Sequence, residues 1–425
     1  MTTPVHDREP LHAVVQQHCE ESAHLRNVRT VLVRAPHVRL KHLRRLDDRI
    51  AAHLDGLAVA GDYGTALCRA ALARAGAGEV FAVAVRAIEE RDDASLDRAI
   101  ALAAALPEAR RGLLSAIGWV SAAQLRGAAQ GLLASTEPLR RELGLAACRL
   151  HRVDPGPALA SALRSDEPLL CAAAARAAGE LGRADLLEDI LAATASPDPS
   201  LALRAAAAGC LLGDRGVVLR TLEQLATADG PGAASADAWL FLAAGFERGR
   251  ELLRHIAHRE PRDAPLERRV MRASGLLGDV RLVPWLIERM DDDAKARLAG
   301  EAFSLITGAD LALLDLERKP PATIAGGPSD DPDDADVALD EDDSLPWPDR
   351  ALVERWWSAH AGAMPLDARC FMGGAPTPSR AADVLRTGFQ RQRHAAARLR
   401  SLLQPRTPLF PTCAPSWRQS RLLAP

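Results

Sequence analysis

Lysine is nearly missing from this chain. Of 53 basic residues, three are lysines, Lys41, Lys295 and Lys319, and the rest are arginines. Aromatic residues make up 4%, with Tyr63 the single tyrosine. So few large rings force a core of Ala, Leu and Val, which the hydrophobic fraction of 48% supplies. No apolar run reaches the roughly 20 residues a membrane helix needs. The first ten residues, MTTPVHDREP, contain no hydrophobic signal region. The seven cysteines are odd in number and never spaced as CxxC, which argues against a disulfide framework or zinc ribbon and for a reducing compartment. A formal net charge of -3 lacks the basic excess of an obligate nucleic-acid binder. The expectation is a cytoplasmic globular protein whose arginine and alanine excess reflects a GC-rich genome.

What the chain does have is helix formers and a period. Ala, Leu and Arg lose little side-chain entropy in a helix, and they dominate from about residue 45 to 318. Gly182, Gly213, Gly245, Gly278 and Gly308 follow one another at intervals of 31, 32, 33 and 30 residues. Three stand in one phrase: Leu181-Gly182-Arg183, Leu212-Gly213-Asp214 and Leu277-Gly278-Asp279. Glycine after a helix takes the left-handed conformation without a Cβ clash. Matching starts lie upstream at Glu137-Pro138, Glu167-Pro168, Asp198-Pro199 and Ala264-Pro265, with Thr136, Asp166, Asp198 and Asp263 as N-caps. Between start and stop, Leu170, Ala174, Ala177 and Leu181 lie on one helical face, and Leu201, Ala205, Ala208 and Leu212 repeat it. Leu139, Leu143, Ala146 and Leu150 are a further copy, as are Leu266, Val270, Ala273 and Leu277. Gly245 marks a degenerate copy. Each unit is a helix pair that cannot bury its face alone, so the period predicts an all-α fold: an α-solenoid of HEAT-like helix pairs with an N-terminal helical cap and a small C-terminal helical domain.

The expected boundaries follow composition. Residues 1–60 form the cap, with helices over 8–33 and 38–59. Residues 61–318 form the solenoid. Residues 319–348 are an acidic linker rich in Pro and Asp, with nine acids between Asp330 and Asp343. Residues 349–425 form the C-terminal domain, with one amphipathic helix over 380–403. From Leu345 onward twelve arginines face four acids, so the acidic segment is expected to lie near this basic tail and screen it.

No residue pattern points to catalysis. GxxxxGK[ST], GxSxG and HExxH are absent, and Gly76-Ala77-Gly78 follows no strand. His6, His12, His18 and His24 recur every six residues and so do not share one helix face; they read as exposed, without metal. The expectation is no enzyme, no cofactor and no metal. The tryptophans are the candidate partner-binding residues: Trp239 and Trp285 near repeat helices, Trp356 and Trp357 in the tail, and Trp417 near the end. A protein partner fits better than nucleic acid, because lysine clusters are missing. The competing reading is a helical-repeat enzyme or nucleic-acid binder of the HEAT-fold DNA glycosylase kind, which arginine supply and Trp239 and Trp285 favour.

Several phrases together carry a resemblance. They are RLDDRIAAHLDGLAVAGDYG (45–64), HRVDPG (151–156), AAGELGRADLL (177–187), GDVRLVPWLIERM (278–290), LAGEAFSLITGADL (298–311), LPWPD (345–349), GFQRQRHAAA (388–397) and APSWRQ (414–419). In this order they resemble a proteobacterial HEAT-repeat family of unknown function, often encoded in type VI secretion gene clusters. The resemblance implies a secretion-linked adaptor or chaperone whose partner is a type VI spike or effector polypeptide. It implies no catalytic residues.

Overall fold

The computed structural model describes residues 10–228, 230, 232–259, 263–321 and 340–424. Among these residues the regular elements are α-helices and short 3-10 turns, and an isolated antiparallel bridge joins Glu317 to Pro348. The protein is all-α. Two compact units divide it. The first comprises the chain up to Arg34, Val38–Ala193 and the segment from Pro411; the second comprises Ala35–His37 and Thr194–Phe410.

Prolines and glycines bracket the repeat helices Pro168–Leu181, Pro199–Leu212 and Ala264–Leu277, whereas Pro138–His151 starts at a proline but ends at left-handed Arg152, with φ 60°. Gly182, Gly213, Gly278 and Gly308 follow their helices with φ of 79°, 105°, 72° and 76°. Gly245 differs from expectation. Its φ is -58°, the helix Ala233–Ala243 ends at extended Ala244, and Gly245 instead precedes the helix Phe246–Ala257. The N-caps are half as expected. Asp198 and Asp263 accept bonds from helix N–H groups, whereas Thr136 and Asp166 do not. At those two starts Glu137 and Glu167 hold the cap position, and the hydroxyls of Ser135 and Ser165 accept from their N–H groups at 3.1 and 3.2 Å. The aspartate of the Leu-Gly-Asp phrase has its own role, since it opens the next helix. Asp214 Oδ1 accepts from Gly216 N and Val218 N at 3.1 and 3.0 Å, and Asp279 Oδ1 from Arg281 N at 3.0 Å.

Within each unit the first helix of one pair packs on the first helix of the next. In the first unit the helices Ala77–Glu90, Pro107–Trp119, Pro138–His151 and Pro168–Leu181 form such a ladder. In the second unit it runs through Pro199–Leu212, Ala233–Ala243, Ala264–Leu277 and Asp293–Thr307. Ala174, Ala177, Ala205, Ala208 and Ala273 are buried at the middle positions, where a small side chain lets backbones approach. Leu143, Leu170, Leu212 and Leu277 are buried around them, each worth about 1.5–3 kcal/mol. Leu181 and Leu266 are only half-buried.

The C-terminal residues lie across helix ends. The expected helix over 380–403 is two, Pro378–Thr387 and Gln390–Leu403, broken at Gly388 and Phe389. Residues 369–373 run against the second unit's stops: Cys370 N donates to Gly278 O at 2.8 Å, Met372 N to Leu305 O at 2.8 Å and Gly373 N to Ile306 O at 2.9 Å. In the first unit the helix Ser416–Leu423 packs on Leu40–Val59. Buried Asp47 accepts there from Ser416 N at 2.7 Å and pairs with Arg29 at 2.6 Å. Of the acidic linker, 322–339 lies outside the described residues. Its described end turns toward the repeats as well as the tail. Asp342 pairs with Arg268 at 2.6 Å, Asp340 with Arg297 at 2.6 Å, and Glu341 O accepts from Arg391 at 2.6 Å.

Gly278 has two reasons to be glycine. Its φ is left-handed, and a Cβ there would stand 2.1 Å from Cys370 O. Gly213, in the same left-handed region with φ 105° and ψ 0°, would bring a Cβ no closer than 3.2 Å to another atom, the Pro405 side chain. Gly213→Ala should therefore cost little beyond the backbone term, about 1–2 kcal/mol. Gly278→Ala should exceed it by at least about 1 kcal/mol, because main chain must move. Urea titration followed by circular dichroism measures both, and equal losses would contradict the close packing of residues 369–373.

Candidate functional site

The helices Phe246–Ala257, Ala264–Leu277 and Val283–Arg289 enclose a cleft of 520 Å³ in the second unit. Its floor is apolar. Leu253, Val270 and Leu277 are buried; Leu266, Leu282 and Trp285 are half-buried. The rim is cationic, with Arg250, Arg254, Arg281 and Arg289 against Glu267 and Asp279. Asp279 is 3% exposed and pairs with Arg250 at 2.9 Å, so those charges cancel. Glu267 is held by Lys295, and Arg281 by Asp367. Arg254 makes no ion pair among the described residues. Arg289 Nε is buried without a hydrogen-bond partner. An orphaned buried donor costs about 1–3 kcal/mol. Arg289 also pairs with Glu288 at 3.7 Å, so the cleft joins an apolar floor to one uncommitted guanidinium, Arg254.

The structure spreads the five candidate tryptophans. Trp285 lines the cleft just described. Trp239 is buried, with the guanidinium of Arg398 over its ring at 4.8 Å. Trp356 meets Phe303 edge-on at 5.7 Å and stacks on His360 at 4.1 Å. Trp357 is half-buried against the same cluster. Trp417 meets Trp119 edge-on at 4.8 Å. Sequence reasoning missed Arg254 and Arg289, although Arg289 stands inside the quoted GDVRLVPWLIERM phrase.

A larger cleft of 740 Å³ lies between Pro36, Glu301, Leu311, Trp347, Phe389 and Arg391. Trp347 is buried between the guanidiniums of Arg297 and Arg318, at 4.6 and 5.4 Å. Burial pushes the Glu301 carboxyl up, against the pull of Arg391 at 2.9 Å. Glu301 and Arg391 thus hold each other. The histidines are not all exposed as expected. His18 and His53 are half-buried, with Nδ1 atoms 3.0 Å apart. Burial first, then His18, lowers His53. Among the described residues no group of three or more His, Cys, Asp or Glu is placed to hold a metal, and no helix is long and apolar enough to cross a membrane.

The first unit has one buried carboxylate among three guanidiniums. Glu180 pairs with Arg176 at 2.6 Å, Arg149 at 3.0 Å and Arg152 at 3.7 Å. Burial alone would raise its carboxyl; Arg149, Arg176 and Arg152 together hold it well below the usual range. Comparison with protein-family models, curated proteins and solved structures gave no match.

A depressed folded-state value stabilises above the unfolded value and is lost as pH falls through the folded one. Glu180→Gln should therefore cost about 3–5 kcal/mol at neutral pH, since it leaves three arginines around no anion. That loss should shrink below about pH 4, where the unfolded carboxyl protonates. Denaturant titrations at neutral and acid pH test this, and a penalty constant with pH would refute it.

Proposed function

We propose that this protein is a non-catalytic protein-binding scaffold, and that the Trp285 cleft takes a segment of a partner polypeptide. One observation carries the reading: the apolar floor beside Trp285 adjoins the uncommitted Arg254. Such a cleft suits an apolar side chain seated on the ring with an acidic neighbour reaching Arg254, the pattern by which short segments dock into grooves. Stacked helix pairs would hold the surface rigid, so the partner would be bound without nucleotide or metal. The family resemblance supplies the partner's class, a type VI spike or effector polypeptide in the cytoplasm, with the scaffold as its adaptor or chaperone.

The rival reading is a nucleic-acid binder or helical-repeat enzyme, and the observation favouring it is the same cationic rim. The two separate on the floor. Phosphate contacts need little apolar surface and are strongly salt-dependent, whereas the proposed segment depends on Trp285. The test is affinity purification of the full chain from its native cell, secretion genes intact and EDTA present, with partners identified by mass spectrometry. The expected result is a secretion polypeptide that is lost with Trp285→Ala while the thermal midpoint of the variant stays near the parent. Recovery of nucleic acid, or of the same polypeptide by Trp285→Ala, would overturn the assignment.

A further inference from the structure

Two of the seven cysteines face each other. Cys19 lies on the helix His12–Leu32 and Cys68 on Gly61–Ala71, and their Sγ atoms stand 3.9 Å apart in the first unit's core. Cys19 is 7% exposed and Cys68 1%. Both helices are packed tightly one turn away. A Cβ at Gly78 would stand 2.4 Å from Ala23 O, four residues after Cys19. A Cβ at Gly64, four residues before Cys68, would stand 2.3 Å from Leu57 O. Residues four apart share a helix face, so each cysteine sits beside a backbone contact that leaves its helix little room to shift. The other buried thiols are placed differently. Cys171 donates to Leu163 O at 3.1 Å and Cys370 to Ile306 O at 3.2 Å. Burial pushes Cys148, Cys171, Cys210 and Cys370 up. A hydrogen bond from Cys68 instead brings Cys19 down, against its burial.

We propose that Cys19 and Cys68 are a modification site, closed by a hydroperoxide into a reversible disulfide that fastens His12–Leu32 to Gly61–Ala71. The separation suits it. A disulfide bond is about 2.05 Å long, so each sulfur moves by about 1 Å, which a turn about χ1 supplies. Cys19 reacts first, because it is the more exposed and its thiolate is favoured by the Cys68 proton. Its sulfur bonds one peroxide oxygen, the O–O bond breaks, and the departing hydroxide takes up the proton Cys19 gave away. Cys19 is then a sulfenic acid. The Cys68 sulfur bonds the Cys19 sulfur, the S–O bond breaks, and the hydroxyl leaves with the Cys68 proton as water. Two thiols and one hydrogen peroxide thus become one disulfide and two waters. The small, uncharged oxidant matches a nearly buried sulfur that a bulky disulfide reagent would not reach. Reducing surroundings return the pair to thiols, so the bond acts as a sensor and not as a permanent staple.

The test uses the full chain with Cys413→Ser, which removes the exposed thiol and leaves the six buried ones. The folded protein is treated with hydrogen peroxide, then unfolded in urea and alkylated. The thiol count should fall by two, peptide mass mapping should join the Cys19 and Cys68 segments, and dithiothreitol should restore the count. In Cys68→Ser no disulfide should form, and dimedone should label Cys19 as the sulfenic acid; Cys68→Ala reads the same step should the serine variant lose its thermal midpoint. The bond joins residues 49 apart in the chain, so it should slow amide hydrogen exchange in His12–Leu32 at least about tenfold. An unchanged thiol count, or a disulfide mapped to another pair, would overturn the site. A correctly mapped bond with unchanged exchange would overturn the fastening. The pair lies in the first unit and shares no residue with the Trp285 cleft, so the two readings fail separately.

Discussion

Helix ends govern this structure. Every α-helix leaves its last carbonyls without an intrahelical partner, and a protein built from many short helices multiplies that deficit. Here arginines answer it. Arg369 donates to Leu242 O and Ala244 O at 2.6 and 3.0 Å, beside the end of the helix Ala233–Ala243. Arg418 donates to Gly118 O and Val120 O at 3.0 and 3.1 Å. Arg152 reaches Glu180 O at 3.1 Å, and Arg215 reaches Cys210 O at 2.7 Å and Leu402 O at 3.2 Å. A guanidinium has five donors in a rigid plane and bridges two carbonyls at once, and its charge suits the negative end of a helix dipole. An ammonium is a single point. Burial lowers Arg369 and Arg418 to about 10 each, well above neutral pH, so the charge survives desolvation. The arginine excess that reads as genomic bias is thus put to structural use.

The same constraint explains the path of the C-terminal residues. In the second unit residues 369–373 cross the ends at Gly278 and Gly308, and their N–H groups bond carbonyls there. In the first unit Arg418 and Trp417 fix the last helix over the ends near Gly118 and Val120. Alanine at the stacked positions brings helices close, and the few rings are spent where the stacks leave gaps. Trp239 under Arg398 and Trp347 between Arg297 and Arg318 are of this kind. A ring set between guanidiniums gains both area and a cation–π term.

Much of this was legible in the amino-acid order. Proline starts, glycine stops and apolar faces are local signals, and the helices Pro168–Leu181 and Pro199–Leu212 fall where the period puts them. What escaped depends on distant partners. Gly245 shares the spacing of the other stops, but the next helix begins at once and removes the need for a left-handed residue. The break at Gly388 was hidden because the apolar stripe continues through it. The Trp285 cleft was visible only as a tryptophan; Arg254 and Arg289 are two of many arginines until folding sets them on one rim. Glu180 looked like any surface acid in a helix, and only the approach of Arg149 and Arg152 from the preceding repeat gives it meaning.

The account rests on guanidiniums at helix ends, and replacing them one at a time by lysine tests it. Lysine keeps the charge and most of the stem while losing the planar fork. Arg215→Lys, Arg369→Lys and Arg418→Lys should each lower unfolding free energy by about 1–3 kcal/mol, the usual cost of leaving buried polar groups without partners. Arg386→Lys, at an exposed helix position beside Asp383, should leave it nearly unchanged. Urea unfolding of the four variants decides the matter. Losses confined to the three helix-end positions would support the account, and losses no larger than that of Arg386→Lys would contradict it.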